Sequence, residues 1–392
     1  MTKLFAKDKS GAIIIEGHVQ GLSNTRSFGE MDIPVYVVDK TNCIARYSKF
    51  CKKFFKCPDF IEDSFADFLL DLAEREDLKG WMLMPSNDHA VLTISKYKTR
   101  LEEYYKVITP SFDIIQNIYD KSRLLKKAEE IKVPVPKTFY FRSINCSFSE
   151  DLPYPVITKG RNGLTFYKAV GKKAFIARDD EELKKQLKRL SEKLDIENTF
   201  TQEVIPSRGS NQTLSFTAFC VDGFIKTYWI GAKLREHPLR FGTATFCRSV
   251  LCEELVEPSA KLVKALNYTG VCEIEYLKDP RDELYKLIEI NARTWLWVGL
   301  AKACGVNYPL LIYNFLNGKT VAWPDTYTNN IYWINYLTDI PYSLMAILKG
   351  KLNLLSYIRT FKEFRVNALW YKSDIKPFFA YLLLTSIFIK NR

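Results

Sequence analysis

Short apolar runs punctuated by glycine and proline alternate with amphipathic stretches along the first third of the chain. Gly11-Ala-Ile-Ile-Ile15 reads as a strand. Gly17 and Gly21 allow a tight turn, Leu22 to Met31 a helix, and Ile33 to Val38 a second strand ending at Asp39. Strand, helix and strand in that order predict a parallel sheet with helices on its faces. Phe65 to Glu76 has helical periodicity, and Trp81 to Met84 reads as the next strand. Pro85 to Asp88 follows that strand, where loops of such sheets face ligands. The Gly17–Gly21 turn lacks the G-x-G-x-x-G spacing of dinucleotide sites, so a nicotinamide cofactor is not expected.

The pattern changes near residue 120. Asp120-Lys121 opens a helix running to Lys132, and Pro134 and Pro136 force the extended segment Lys137 to Phe141. Pro155 to Lys159 is a strand, Gly160 to Gly163 a flexible loop, Phe175 to Arg178 a strand and Glu181 to Leu194 a helix. Phe200 to Ile205 is a further strand that exits at Pro206. From there to Tyr313 strands alternate with one clear helix, Pro258 to Leu266, ended by Tyr268-Thr-Gly270.

The chemistry concentrates in one predicted hairpin. Gly270-Val-Cys-Glu-Ile-Glu275-Tyr and Leu287-Ile-Glu289-Ile-Asn291-Ala-Arg293 read as strands joined by the polar loop Lys278 to Glu283. Alternation puts Glu289, Asn291 and Arg293 on one face, where Glu275 can meet them from the neighbouring strand. Ile288 and Ile290 make the opposite face apolar. Two carboxylates and an amide oxygen are hard ligands suited to Mg²⁺ that also holds nucleotide phosphates. Arg293 beside them can neutralise phosphate charge. The competing reading is a solvated acidic hairpin. Lys159, at a strand end before a glycine loop, can reach phosphate oxygens. Gln202 to Ile205, leading to Pro206, offers backbone groups to a base edge.

Composition narrows the partners. A chain of 392 residues with 47% hydrophobic and 26% charged residues is long enough for several packed domains and is not globally disordered. The net charge of +12 favours anionic partners. From Ile331 to Arg392 nine basic side chains face three acidic ones. Nine scattered cysteines without a CxxC pair and only three histidines leave little material for disulfides, zinc or His-based triads. No zinc finger, helix-turn-helix or stacking motif supports nucleic-acid binding. The N-terminal apolar run, Ala12 to Ile15, is too short for a signal peptide core, so a cytoplasmic protein is expected. The run Phe378 to Ile389, between Lys376 and Lys390, is too short to span a bilayer and reads as a core helix, with an interfacial anchor as the alternative.

The order and spacing of these pieces resemble the ATP-grasp superfamily from Gly11 to Gly318. Asp120-Lys121 resembles the pair that starts the family's central domain, and Pro134-x-Pro136 the motif that follows it. Position 160 is glycine where the family usually has proline, and position 292 is alanine. Lys233-Leu-Arg235-Glu-His-Pro238 with Phe241-Gly-Thr-Ala-Thr245 resembles a carboxylate–amine ligase subgroup that includes D-aspartate ligases. Arg26, Asp88 and Asp374-x-Lys376-Pro377 look similar to that subgroup as well.

The resemblance implies an α/β and α+β architecture. A Rossmann-like parallel-sheet domain (the pre-ATP-grasp domain, 1–118) would precede the two-subdomain ATP-grasp fold (119–205 and 206–325), and a basic extension (326–392) would follow. It implies Lys121, Lys159, Lys172 or Lys173, Gln202, Glu203, Val204 and Ile205 as ATP-binding, and Glu275, Glu289 and Asn291 as ligands of Mg²⁺, with Mn²⁺ as the alternative ion. Arg293, Lys233 and Arg235 would be catalytic, with Arg235 and Arg240 holding a carboxylate, and the loop Gly160 to Lys173 would close over the site. The implied reaction is ATP-dependent ligation of a small carboxylate to an amine through an acyl phosphate, releasing ADP and phosphate. The alternatives are a phosphotransferase without ligation and a catalytically silent nucleotide-binding protein. A homodimer and a peripheral contact of the basic tail with the inner face of the membrane complete the expectation.

Overall fold

The computed structural model describes residues 10–143, 152–206, 213–237, 242–362 and 365–390. Arg240 lies outside the described residues.

Three sheets organise the chain. The first has strand order β3-β2-β1-β4-β5 and is parallel throughout. Its strands are β1 (Ala12–Ile15), β2 (Val35–Asp39), β3 (Cys51–Lys56), β4 (Met82–Pro85) and β5 (Lys106–Val107). Helices α1 (Val19–Gly29), α2 (Ser64–Arg75), α3 (Asp88–Lys96) and the short α4 (Lys98–Leu101) alternate with them. All four β1 residues are buried, because both sheet faces carry helices. β1 pairs with both β2 and β4, so the chain changes winding direction between β1 and β4. That crevice is where open parallel sheets bind ligands.

Helices α5 (Phe112–Tyr119) and α6 (Lys121–Glu130) lead into the second sheet. Asp120 caps α6, accepting hydrogen bonds from the backbone N–H groups of Ser122 and Arg123. Its carboxylate also takes the Arg161 guanidinium at 2.6 and 3.1 Å, tying the start of α6 to the turn after β7.

The second sheet, ordered β6-β9-β7-β8, is antiparallel: β6 (Thr138–Phe139), β7 (Val156–Gly160), β8 (Ala174–Ala177) and β9 (Thr199–Glu203). Between β7 and β8 the expected loop is largely a helix, α7 (Gly163–Val170). Asn162 caps it by accepting from the Thr165 N–H at 3.0 Å, and Gly171, at φ 70°, ends it. α8 (Asp180–Ser191) buries Leu183, Leu187 and Leu190 on this sheet, a spacing that matches one helical face.

The third sheet, ordered β14-β13-β10-β11-β12-β15-β16, is mainly antiparallel. Its strands are β10 (Thr213–Val221), β11 (Phe224–His237), β12 (Thr243–Ser249), β13 (Gly270–Lys278), β14 (Tyr285–Asn291), β15 (Tyr332–Ile334) and β16 (Arg365–Asn367). α9 (Val256–Ala265) packs on one face and ends through Asn267, at φ 47°, ahead of the expected Tyr268-Thr-Gly270 stop. Two helices absent from the sequence reading, α10 (Val298–Ala303) and α11 (Tyr308–Leu316), follow β14. Their segment is rich in aromatic residues, and Trp229, Trp295, Trp297 and Tyr308 join a core shared with the first sheet. Local propensity gives little help in such a segment, and tertiary packing decides its conformation.

The chain ends in α12 (Tyr336–Leu348), α13 (Leu354–Arg359) and α14 (Lys376–Lys390). On α14, Phe378, Tyr381 and Leu384 pack against the shared core while Phe379, Leu382 and Leu383 stay exposed. Among the described residues no helix is long and apolar enough to cross a membrane. The eight described cysteines are free thiols, and all but Cys51 are buried.

Candidate active site

The register between β13 and β14 sets the centre of the site. Glu275 lies opposite Glu289, and Glu273 lies opposite Asn291. A bulge follows the first pair, between Glu275 and Tyr276. It leaves Ile288 unpaired and turns it toward the cleft, whereas the sequence assigned Ile288 to the apolar face. Ile290 belongs to the hydrophobic core below, as expected.

The cleft encloses about 700 Å³ between the second and third sheets. It is lined by Lys121, Lys159, Lys173, Gln202, Glu203, Val204, Ile205, Lys233, Glu275, Glu289, Asn291 and Arg293. Its volume falls in the range of small-molecule sites. Lys172 instead lies over the Phe175 ring, 5.4 Å from its centroid.

Cations and carboxylates pair across this space. Lys233 donates to Glu275 Oε1 at 2.7 Å, and Lys121 pairs with Glu289. Burial opposes the Lys233 charge, but Glu275 and Glu273 outweigh it and lift its pKa above the ordinary lysine range. Lys121, with burial opposing, holds the Glu289 carboxyl well below the usual carboxylate range. Lys159 donates to Gln202 Oε1 at 3.3 Å. Burial, followed by repulsion from Lys121, brings the Lys159 pKa down to about 8. Gly160 after it is explained by packing: a Cβ there would stand 2.2 Å from Phe166 Cβ of α7.

Arg293 reaches the first domain. Its Nη2 donates to Asp88 Oδ2 at 2.9 Å and to Asn291 Oδ1 at 3.3 Å. Asp88 begins α3 at the C-terminal end of β4, so the switch point of the parallel sheet opens onto the same cleft. Glu16, just after β1, lies behind this opening and does not line the cleft itself. It accepts from Asn87 Nδ2 at 2.8 Å and Gln20 Nε2 at 3.0 Å, and burial raises its pKa to about 7.

Two sequence expectations are displaced. Arg235 does not line the cleft. Irregular register around it on β11 turns its side chain away, and it makes a two-pronged pair with Asp339 at 2.8 Å per contact. Glu203 contributes to the cleft wall, but its carboxylate is engaged elsewhere. It accepts from the Lys137 N–H at 2.9 Å and from Arg281 Nη2 at 2.7 Å, which ties the β13–β14 hairpin to the end of β9.

Glu273 escaped the sequence reading. It accepts from Ser215 Oγ at 2.8 Å and Asn291 Nδ2 at 2.9 Å, and burial followed by Glu275 raises its pKa to about 7. The alternation that selected Glu275 places Glu273 on the same face, so the signal was present. Glu16 had no motif to mark it.

The donor set fits a hard divalent ion. Glu275 and Glu289 face each other where lysines now neutralise them, and Asn291 stands beside them, its Nδ2 donating to Glu275 Oε1 at 3.4 Å while its Oδ1 accepts from Arg293. Among the described residues no group of three or more His, Cys, Asp or Glu is placed to hold a metal unaided. Mg²⁺ does not require such a cage, because it is commonly held by one or two carboxylates together with substrate phosphates.

The chain is similar to known proteins in part of its sequence and in its fold. Residues 243–312 match the family described as carbamoyl-phosphate synthase L chain, ATP binding domain. The D-aspartate ligase of Enterococcus faecium (strain Aus0004) is 27% identical over 250 residues, covering 60% of this chain. The matched region spans 59% of that relative's own length. Biotin carboxylase from Campylobacter jejuni superposes with a TM-score of 0.65 at 16% identity, over 82% of this chain and 74% of its own. N5-carboxyaminoimidazole synthetase from Staphylococcus aureus gives 0.64 at 14%, over 83% and 81%. The L-amino acid ligase from Bacillus licheniformis gives 0.61 at 16%, over 79% and 75%.

Proposed function

We propose that this chain, a member of the ATP-grasp superfamily, is an ATP-dependent carboxylate–amine ligase that forms ADP and phosphate. One observation carries the reading: Glu275 and Glu289 face each other across β13 and β14, with Asn291 beside them, in a cleft whose other wall holds Lys159. The regions 1–118, 119–205, 206–325 and 326–392 are then the pre-ATP-grasp domain, the two grasping subdomains and the basic extension.

In this reading Lys159 and Lys173 bind phosphate oxygens, and the walls from Gln202 to Ile205 hold the base. Mg²⁺ held by Glu275, Glu289 and Asn291 would supply charge neutralisation between the β- and γ-phosphates. A substrate carboxylate oxygen attacks the γ-phosphorus, forming an acyl–phosphate bond as the bond to ADP breaks. Arg293 and Lys233 balance the charge on the transferring group. The amine nitrogen then attacks the acyl carbon, phosphate leaves with the C–O electron pair, and the nitrogen's surplus proton passes to the departing phosphate. α7, flanked by Gly160 and Gly171, is the element that shields the acyl phosphate from water. The names of the D-aspartate and L-amino acid ligases make amino acids the first candidates for both substrates. A homodimer and a location at the inner face of the membrane belong to this reading.

The test is ADP release from the purified chain over carboxylates crossed with amino acids, with mass spectrometry of the product. A ligated product with one ADP per bond is expected. A phosphorylated carboxylate that persists in the presence of amines would instead identify a phosphotransferase.

Lys159→Ala should lower kcat/KM for ATP by about 100-fold, as expected for loss of a half-buried charge at the transferring phosphate. A wild-type value would remove Lys159 from the phosphate site. With its pKa at about 8, Lys159 is charged below that pH and neutral above it. kcat/KM for ATP, which reports the free enzyme, should therefore fall as pH rises through 8. Lys159→Arg keeps its charge and should flatten that limb, whatever its absolute rate. An identical fall in the arginine variant would assign the titration to another group.

A further inference from the structure

α12 and α13 carry the reverse of an ordinary surface helix. The side of α12 turned to the protein presents Asp339 and Ser343, both buried, while the outer side presents Ile340, Leu344, Met345 and Leu348. Leu348 is 87% exposed. Across the turn, Leu354, Leu355 and Ile358 are also exposed, Leu355 at 64%. Helices facing water place polar side chains outward, and clustered exposed apolar groups mark contact surfaces. The charge pattern is equally one-sided. From Ile340 to Lys362 there are four cations, Lys349, Lys351, Arg359 and Lys362, and no Asp or Glu. Lys349, Lys351 and Arg359 are exposed.

The hairpin is firmly mounted. Arg235 of β11 pairs with Asp339 of α12, and its guanidinium lies 5.0 Å from the ring centroid of Tyr357 of α13. Asp339 also accepts from Thr245 Oγ1 of β12 at 2.8 Å. The exposed leucines therefore project from a fixed platform on the strand that also carries Lys233.

We propose that the α12–α13 hairpin is a docking surface for an anionic lipid bilayer, with the leucines entering the interface and the lysines meeting acidic headgroups. Apolar side chains flanked by cations are the composition that such binding requires. A second copy of the chain is disfavoured by the same charges. A twofold contact sets this patch against itself, and the carboxylate of the hairpin's Asp339 is buried and already engaged by Arg235 and Thr245, so it cannot meet the cations of a second copy. The membrane contact in this proposal lies on α12–α13; α14 turns Phe378, Tyr381 and Leu384 inward and leaves Phe379, Leu382 and Leu383 exposed.

The full chain is mixed with vesicles of phosphatidylcholine alone, or of phosphatidylcholine and phosphatidylglycerol in equal parts, and floated on a gradient. Binding to the anionic vesicles only, weakened by added salt, is expected. Leu348→Gln with Leu355→Gln should abolish it. Lys349→Glu with Lys351→Glu should lower the partition coefficient by at least about fivefold per charge. Both pairs are exposed, so the thermal midpoint should stay in place. The proposal is overturned if the full chain ignores anionic vesicles, or if the leucine variant floats as well as the parent. It is also overturned if sedimentation shows a dimer that the leucine changes dissolve while vesicle binding is unaffected. Flotation needs no ATP, so a chain without ligase activity would still test the surface, and failed flotation would remove the membrane location while leaving the ligation chemistry untouched.

Discussion

Glu289→Gln should reduce ADP release by at least about 100-fold while the protein stays folded, since the charge that a metal-ion site supplies is worth several kcal/mol in the transition state. The change keeps the shape of the side chain and removes only its charge. What it loses is a partner for Lys121 and an anionic ligand opposite Glu275. Lys121 and Glu289 are 33% and 28% exposed, so water can solvate the lysine that remains. The stability cost of such a half-exposed pair is below about 1 kcal/mol. A melting curve alongside the assay separates lost chemistry from lost structure. Raising Mg²⁺ should recover part of the activity if the defect lies in ion binding. Turnover equal to the parent would place the metal elsewhere and remove the observation on which the ligase reading stands.

The centre of this site could be read from the sequence because strands report their geometry through a simple period. Glu275, Glu289 and Asn291 were assigned to a common face from alternation alone, and the register places them together. What was missed lies where that period breaks or where contacts are distant. The bulge in β14 turns Ile288 into the cleft, and irregular register in β11 turns Arg235 out of it, toward a partner 104 residues away. No local pattern announces either event. Glycines at 160 and 163 suggested a flexible loop, yet Asn162 and Gly171 cap a helix that starts at Gly163. Gly160 is there because Phe166 packs against it, which is a tertiary cause. α10 and α11 were hidden by an aromatic segment whose form depends on the core it enters.

The second large effect belongs to a pair that the sequence marked at both ends without joining. Asp374→Ala should release the C-terminal segment, because the Asp374 carboxylate is buried and saturated with donors. It accepts from Arg26 Nε at 2.9 Å, Ser48 Oγ at 2.8 Å and the Lys49 N–H at 2.8 Å. Arg26 also donates to the carbonyls of Leu369 and Asp374 at 2.9 Å each, so α1 and the tail grip one another. Removing one member of such a pair leaves a buried charge unpaired and costs about 3–5 kcal/mol. That cost should appear first as local opening of this segment, which lies at the edge of the fold's core. Limited proteolysis should cut near Lys372 and Lys376 at least about 100-fold faster than in the parent, the population change that 3 kcal/mol implies. Arg26→Leu combined with Asp374→Leu should be less damaging than either single change, because the desolvation cost of both charges disappears together. If the double variant opens as readily as the single ones, the tail is held by the packing of Phe378, Tyr381 and Leu384 and the ion pair contributes little.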